Sequence, residues 1–310
     1  MNKTNNLLVF LSLIITSTGL TQLNDVVYRG NIKSVRFTQY NLAIKDSSTF
    51  DYDSTITPGW NFYTKFDRNG NKRIHNQYDY EENEELLNYY SFTHNANGLE
   101  IARTKFYASG NLYGEGESYY NKNNQLDSSI WRSEVNDVLY YYIYEKENNN
   151  LIREDQYWIK HNWLDRDTSI SSKLYWNNEQ NLVSKMYKID EEKMIEGFEY
   201  AYAKNGLLSI KTELDSTYSL KYTHHYTYNE SDLILEEKRY SKNGILDYKT
   251  TYVYNDRNDL IERTVYDKNE NIQQQIISKF HYDADGNWVR KEEFWDGIPR
   301  YTTYRTLSYY

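Results

Sequence analysis

The chain has 310 residues, a net charge of −9 and no cysteine, and 17% of it is aromatic, with 35 tyrosines against two prolines. The missing cysteine excludes a disulfide framework, a thiolate metal site and a lipid-attachment residue. The charge is spread without a basic block, which excludes nucleic acid or an anionic membrane as the main partner, because counterion release needs clustered Lys and Arg.

At the amino end Lys3 is positive, Leu7 to Ile15 is apolar except for Ser12, and Thr16-Ser17-Thr18-Gly19 comes next. Such a run is too short to cross a bilayer and has the flanks of a secretory signal peptide. Residues 1–22 are therefore expected to be a signal peptide cleaved between Thr18 and Gln22, giving a secreted, periplasmic or cell-envelope protein. Nothing later reads as a transmembrane helix, so no membrane span is expected after cleavage. Residues 23–58 hold two candidate strands, Val26-Val27-Tyr28 and Val35 to Tyr40, at irregular spacing from the regular pattern that begins near Trp60. Terminal units of repeat proteins are atypical because one face lacks a neighbour, so this segment is expected to be an amino-terminal cap.

Residues 59–310 repeat. Pivots at Phe66, Phe92, Tyr120, Tyr144, Trp176, Tyr202, Tyr228, Tyr254 and Tyr282 are separated, by subtraction, by 26, 28, 24, 32, 26, 26, 26 and 28 residues. Tyr90, Tyr142, Tyr200, Tyr226, Tyr252 and Phe280 stand two residues earlier, which puts both rings on one face of a strand. An apolar residue such as Leu126, Leu207 or Leu260 opens a second strand, and dipeptides such as Asn69-Gly70, Asn97-Gly98 and Asp285-Gly286 accept the positive φ of tight hairpins. The expected fold is all-β: about nine antiparallel hairpin units, roughly eighteen strands. Open sheets rarely exceed about ten strands, so this one must coil, split or close. The expected form is a long curled or spiral sheet, with Tyr228 and Tyr254 largely buried on one face. Truncation at Lys242-Asn243 is then expected to leave a shorter folded protein.

The longest interval, Tyr144 to Trp176, contains Tyr157-Trp158-Ile159-Lys160-His161-Asn162-Trp163. Extra residues in repeat proteins often lie on the binding face, and aromatics beside Asn, Asp and Arg stack on and hydrogen-bond to sugars. Tyr157, Trp158, His161 and Trp163 are the candidate ligand-binding residues; covering a sheet edge is the alternative role for Trp158 and Trp163.

The run Phe280-His281-Tyr282-Asp283-Ala284-Asp285-Gly286-Asn287-Trp288 resembles the tyrosine-aspartate (YD) repeats of the rearrangement-hot-spot (RHS) family. Earlier copies depart from the pattern, with Thr93, Glu145 and Ala203 after the pivot. Large members of that family resemble β-shells that wrap a toxin. This chain reaches Tyr309-Tyr310 soon after its last repeat, so the resemblance implies a short stand-alone envelope form without a toxin segment.

Other motifs are weak. Asp283 to Asn287 departs from a calcium loop, with glycine at its fourth position and Phe294 at the twelfth, so a hairpin turn is expected. His224 and His225 are adjacent on a strand and point to opposite faces, so they cannot share an ion. Glu81, Glu82, Glu84 and Glu85 read as a solvated face. No cofactor, metal site or catalytic residue is expected. The expected function is non-catalytic, a binding or scaffold role toward a cell-surface glycan or an envelope protein. The alternative, a glycoside hydrolase-like enzyme, needs paired carboxylates whose pKa values are pushed apart.

Overall fold

The computed structural model describes residues 31–46, 51–78, 85–133, 136–147, 150–162, 168–176, 181–189 and 193–310. Every regular element in them is a strand. β1 (Ile32–Asp46) and β2 (Asp51–Phe66) are long; β3 (Lys72–Tyr78), β4 (Leu86–His94), β5 (Glu100–Tyr107), β6 (Leu112–Tyr120) and β7 (Leu126–Ser133) are shorter. β8 (Asn136–Glu147) and β9 (Asn150–Asn162) lengthen again, before β10 (Thr168–Trp176), β11 (Leu182–Ile189), β12 (Lys193–Tyr202), β13 (Leu208–Leu214) and β14 (Leu220–Tyr228). β15 (Ile234–Ser241), β16 (Leu246–Tyr254), β17 (Leu260–Asp267), β18 (Ile272–Tyr282), β19 (Trp288–Trp295) and β20 (Ile298–Tyr309) complete the order.

Each strand pairs antiparallel with the next in sequence, and β20 returns to β1, with Phe37 opposite Arg305 and Tyr40 opposite Thr302. The result is a closed, up-and-down barrel of 20 strands. This corrects the expected long curled or spiral sheet. The physical reason lies in the turns: the ladder shifts by one residue at Lys65/Phe66, Thr93/His94, Tyr119/Tyr120, Ala201/Tyr202, Thr227/Tyr228, Val253/Tyr254 and His281/Tyr282. A bulge bends its strand and adds twist. Repeated once per hairpin, the bend brings the two sheet edges together, and closure removes the unpaired N–H and C=O groups that either edge would expose.

Closure also corrects the expectation that no membrane is spanned. Among the described residues no helix is long and apolar enough to cross one. A closed barrel crosses with strands whose backbone groups are all paired, so the lack of an apolar run carries no such conclusion.

Register defines two faces. On one lie Tyr222, His224, Tyr226 and Tyr228 of β14, Glu237 and Arg239 of β15, and Tyr248, Thr250, Tyr252 and Tyr254 of β16. This tyrosine face is the better covered one: His224 is 5% exposed, Thr250 1% and Tyr252 7%, whereas Val253 of the opposite face is 45% exposed. The pivots Tyr228 and Tyr254 are half-buried rather than largely buried. In the Tyr252/Tyr254 and Tyr142/Tyr144 pairs the deeper ring is the earlier one, because the pivot stands at the strand end, where coverage runs out.

The strand end explains the Tyr-Asn/Asp pattern. Oδ1 of Asp67, Asn95, Asn121, Asn229 and Asn255 accepts from the backbone amides two and four residues on, at 2.9 to 3.2 Å. Such side-chain bonds form the turn that the backbone alone would leave loose. The residue third after each has positive φ, supplied by Gly70, Gly98, Asn124, Asp232 and Asn258. At Asn121 and Asn229 the preceding tyrosine reaches sideways to the previous hairpin, as the pivot Tyr202 does before Ala203. Its hydroxyl donates to a backbone carbonyl at 2.8 Å in Tyr120 to Glu100, Tyr202 to Leu182 and Tyr228 to Leu208. Thus one residue of the motif shapes its own turn, and the other ties that turn to its neighbour.

In the second unit the pivot position belongs to His94, not Phe92. Apart from Tyr144, in the lengthened hairpin opposite Glu154, the other pivots pair with the residue six positions on, as Tyr120 does with Leu126 and Tyr254 with Leu260; His94 pairs with Glu100, and Phe92 with Arg103.

Candidate functional site

The extra residues between Tyr144 and Trp176 lengthen a hairpin. β8 and β9 stay paired past the usual turn position, through Glu145 with Arg153 to Glu147 with Asn150. Tyr157 and Trp158 are consecutive in β9, opposite Tyr141 and Tyr140, and His161 lies further along the same strand opposite Asp137. Trp163 lies outside the described residues.

Tyr157 is on the face opposite the tyrosine carpet, where its ring stacks on Tyr141 with centroids 4.4 Å apart and an interplanar angle of 6°. Leu139 and Ile143, on the same face of β8, are 38% and 49% exposed. Two residues before Tyr157, Asp155 is only 3% exposed. It accepts from Nε and Nη2 of Arg153 at 3.1 and 3.0 Å, and that guanidinium reaches Glu145 at 3.1 Å. The fork fixes the plane of the guanidinium. This face of the hairpin thus carries an aromatic step at Tyr141 and Tyr157 and, four residues earlier along β9, a fixed planar cation at Arg153.

The most connected polar cluster is elsewhere, on the tyrosine face. Glu213 of β13 and Glu237 of β15 bracket His224 of β14: Nδ1 is 2.7 Å from Glu237 Oε1, and Nε2 is 3.0 Å from Glu213 Oε1. Lys211 donates to Glu213 at 3.0 Å, and the hydroxyls of Tyr248 and Tyr252 donate to Glu237 at 3.1 and 3.3 Å. The bond from His224 outweighs burial and, with Lys211, holds the Glu213 carboxyl at about 2. Burial pushes Glu237 up, but His224, Tyr248 and Tyr252 outweigh it and hold the carboxyl below its usual range. Burial would lower the imidazole; the two carboxylates overcome it and raise His224 above its ordinary value. His225, the next residue, is exposed. Sequence reading missed the two glutamates because they lie 11 residues before and 13 after the histidine, and only the ladder register puts them on flanking strands. Half the repeat length is the signal that could have found them.

A shallow depression of about 290 Å³ lies across β11 to β13, lined by Val183, Ser184, Glu199, Tyr200, Ala201 and Thr212. Glu199 is its one carboxylate. Among the described residues no group of three or more His, Asp or Glu side chains is placed to hold a metal ion.

Fold and faces define a closed antiparallel β-barrel with one tyrosine-carpeted face and an aromatic step on the other. No protein-family profile matches the chain, and no curated protein matches it. Among solved structures it is similar to TcdB2-TccC3 without its hypervariable C-terminal region, at 10% identity and a TM-score of 0.27, covering 89% of this chain and 19% of that one. It is also similar to a porin-like protein from Bacteroides uniformis ATCC 8492, at 9% identity and a TM-score of 0.33, covering 91% of this chain and 99% of that one. The barrel architecture rests on the strand pairing of this chain alone.

Proposed function

We propose that this chain is a non-catalytic barrel of the cell envelope, of the YD/RHS-repeat type, and that it binds glycan on the face carrying Tyr157. The observation that carries this reading is the flat Tyr141–Tyr157 stack, on the same strand face as the Asp155-held guanidinium of Arg153. Sugar rings are recognised by apolar C–H faces laid on aromatic rings and by hydroxyls bonded to planar, fixed polar groups. The carboxylates that converge on His224 do not supply a glycoside-hydrolase pair. Glu213 and Glu237 are both held ionised, and hydrolysis of a glycosidic bond requires one protonated acid beside an ionised partner. The apolar leader expected at residues 1–22, with its positive start, supports the envelope assignment, and mass spectrometry of the native amino terminus checks it: a protein still beginning at Met1 would remove that support.

Binding is tested by calorimetric titration with soluble envelope-glycan fragments. Tyr157→Ala and Tyr141→Ala should each weaken binding by about tenfold, the equivalent of about 1.4 kcal/mol, while His225→Ala on the same face leaves it unchanged. Absence of binding by the parent across a glycan array would sink the ligand assignment.

A further inference from the structure

The cluster at His224 has a property that follows from its geometry and from the ionisation of its two carboxylates. Ionised carboxylates only accept hydrogen bonds, and Glu213 and Glu237 already act as acceptors toward Lys211 and toward Tyr248 and Tyr252. Each also stands 2.7 to 3.0 Å from a different ring nitrogen of His224. Both nitrogens must then donate, which only the imidazolium can do, since a neutral ring has one N–H and one lone pair. We propose that His224 is a pH-sensitive staple of the barrel wall: protonated, it joins β13 to β15 through Glu213 and Glu237, and on losing its proton it lets one of the two carboxylates go.

The surrounding charges fit this role. Lys211 of β13 is bonded to Glu213. Arg239 of β15, in register with His224, is engaged by Asp247, its Nε lying 2.7 Å from Oδ2. From β16 the groups facing the cluster are the neutral phenols Tyr248 and Tyr252, and Tyr222 and Tyr226 flank His224 on its own strand. With the imidazole protonated, two cations, Lys211 and His224, meet two anions. Without that proton the two carboxylates share one ammonium, and a ring lone pair faces an oxygen at hydrogen-bond distance. His224 is 5% exposed, so water does little to screen that contact.

The sign comes from the raised folded-state value of His224. The stabilisation is complete below the free imidazole value near 6.5 and is lost as pH rises through the higher folded midpoint. The test is titration of the six histidines by imidazole ¹⁵N NMR on the full chain, with His224 assigned through His224→Gln, or through Glu213→Gln should that variant not fold. His224 should carry protons on both nitrogens at pH 6 and titrate above the free value, and Glu213→Gln should lower its midpoint. In parallel, the melting temperature of the parent should fall relative to Glu213→Gln between pH 6 and 9, by about 2 °C for each unit by which the midpoint is raised. A singly protonated ring at pH 6, a midpoint at or below the free value, or parallel melting profiles would overturn the staple.

Discussion

Asn255 carries three bonds in one side chain: Oδ1 accepts from the amides of Arg257 and Asp259 at 2.9 and 3.0 Å, and Nδ2 donates to Tyr282 at 2.7 Å. Asn255→Ala therefore loosens its own turn and also removes one of the two side-chain bonds to the Tyr282 hydroxyl, which still donates to Asp259, with an expected loss of about 2 kcal/mol in urea unfolding. Gly114 shows a steric demand of the opposite kind. A Cβ there would lie 2.6 Å from the Arg132 carbonyl oxygen and 2.8 Å from Cζ2 of Trp131, so Gly114→Ala forces backbone to move and should cost about 1–3 kcal/mol. The Asn and Asp positions were legible in the sequence because turn formation is a local property of those side chains. His94 was not, since a search for aromatic rings moves the pivot two residues back to Phe92, and Gly114 was not, because the indole it must clear comes from the next strand.

Among the elements, the hairpin of β8 and β9 shows how extra sequence is absorbed. The interval of unusual length was visible, yet its added residues continue the ladder to Glu147 and Asn150, because each further pair satisfies two more backbone groups than a free loop would. Truncation at Lys242-Asn243 now carries a different expectation from that of an open repeat array. Removing β16 to β20 strips β1 of one partner and leaves β15 open, giving two exposed edges. The truncate should aggregate, or lose its strand signal by circular dichroism; a soluble folded monomer would mean that the remaining strands close by themselves. The candidate ligand stretch was legible only as a cluster of residue types. That Tyr157 stacks on Tyr141 depends on which residues face each other across β8 and β9, and the sequence does not state this.

For the molecule as a whole, the seam between β1 and β20 decides the shape. Ser34 Oγ and Ser308 Oγ lie 2.7 Å apart across it, Phe37 of β1 meets the Trp288 ring of β19 edge-on at 6.3 Å, and between them Arg305 of β20 sits 3.4 Å over the Trp288 ring while its Nε donates to the Trp288 carbonyl. Paired cysteines at these serine positions, Ser34→Cys with Ser308→Cys, should oxidise readily and raise stability by up to roughly 5 kcal/mol, as a cross-link closing a very long loop can. Failure to cross-link would argue that the barrel is open in solution. The alternation of residues along each strand was legible throughout; the seam was not, because its partners are 274 residues apart and no local pattern announces such a pairing.

That seam also sets a clock. Every other strand can zip onto a partner made just before it, a matter of closing a turn of a few residues, but β1 meets its second partner only when the last strand exists. Non-local pairing of this kind is slow because the entropy of the intervening chain is lost before any contact compensates for it. The amides of β1 that face β20 should therefore gain protection last in pulse-labelled hydrogen exchange during refolding. A circular permutant that joins Tyr310 to Asn31, whose backbones already share a 3.1 Å hydrogen bond, and opens at Asn243-Gly244 should move the delay from this seam to the new break between β15 and β16.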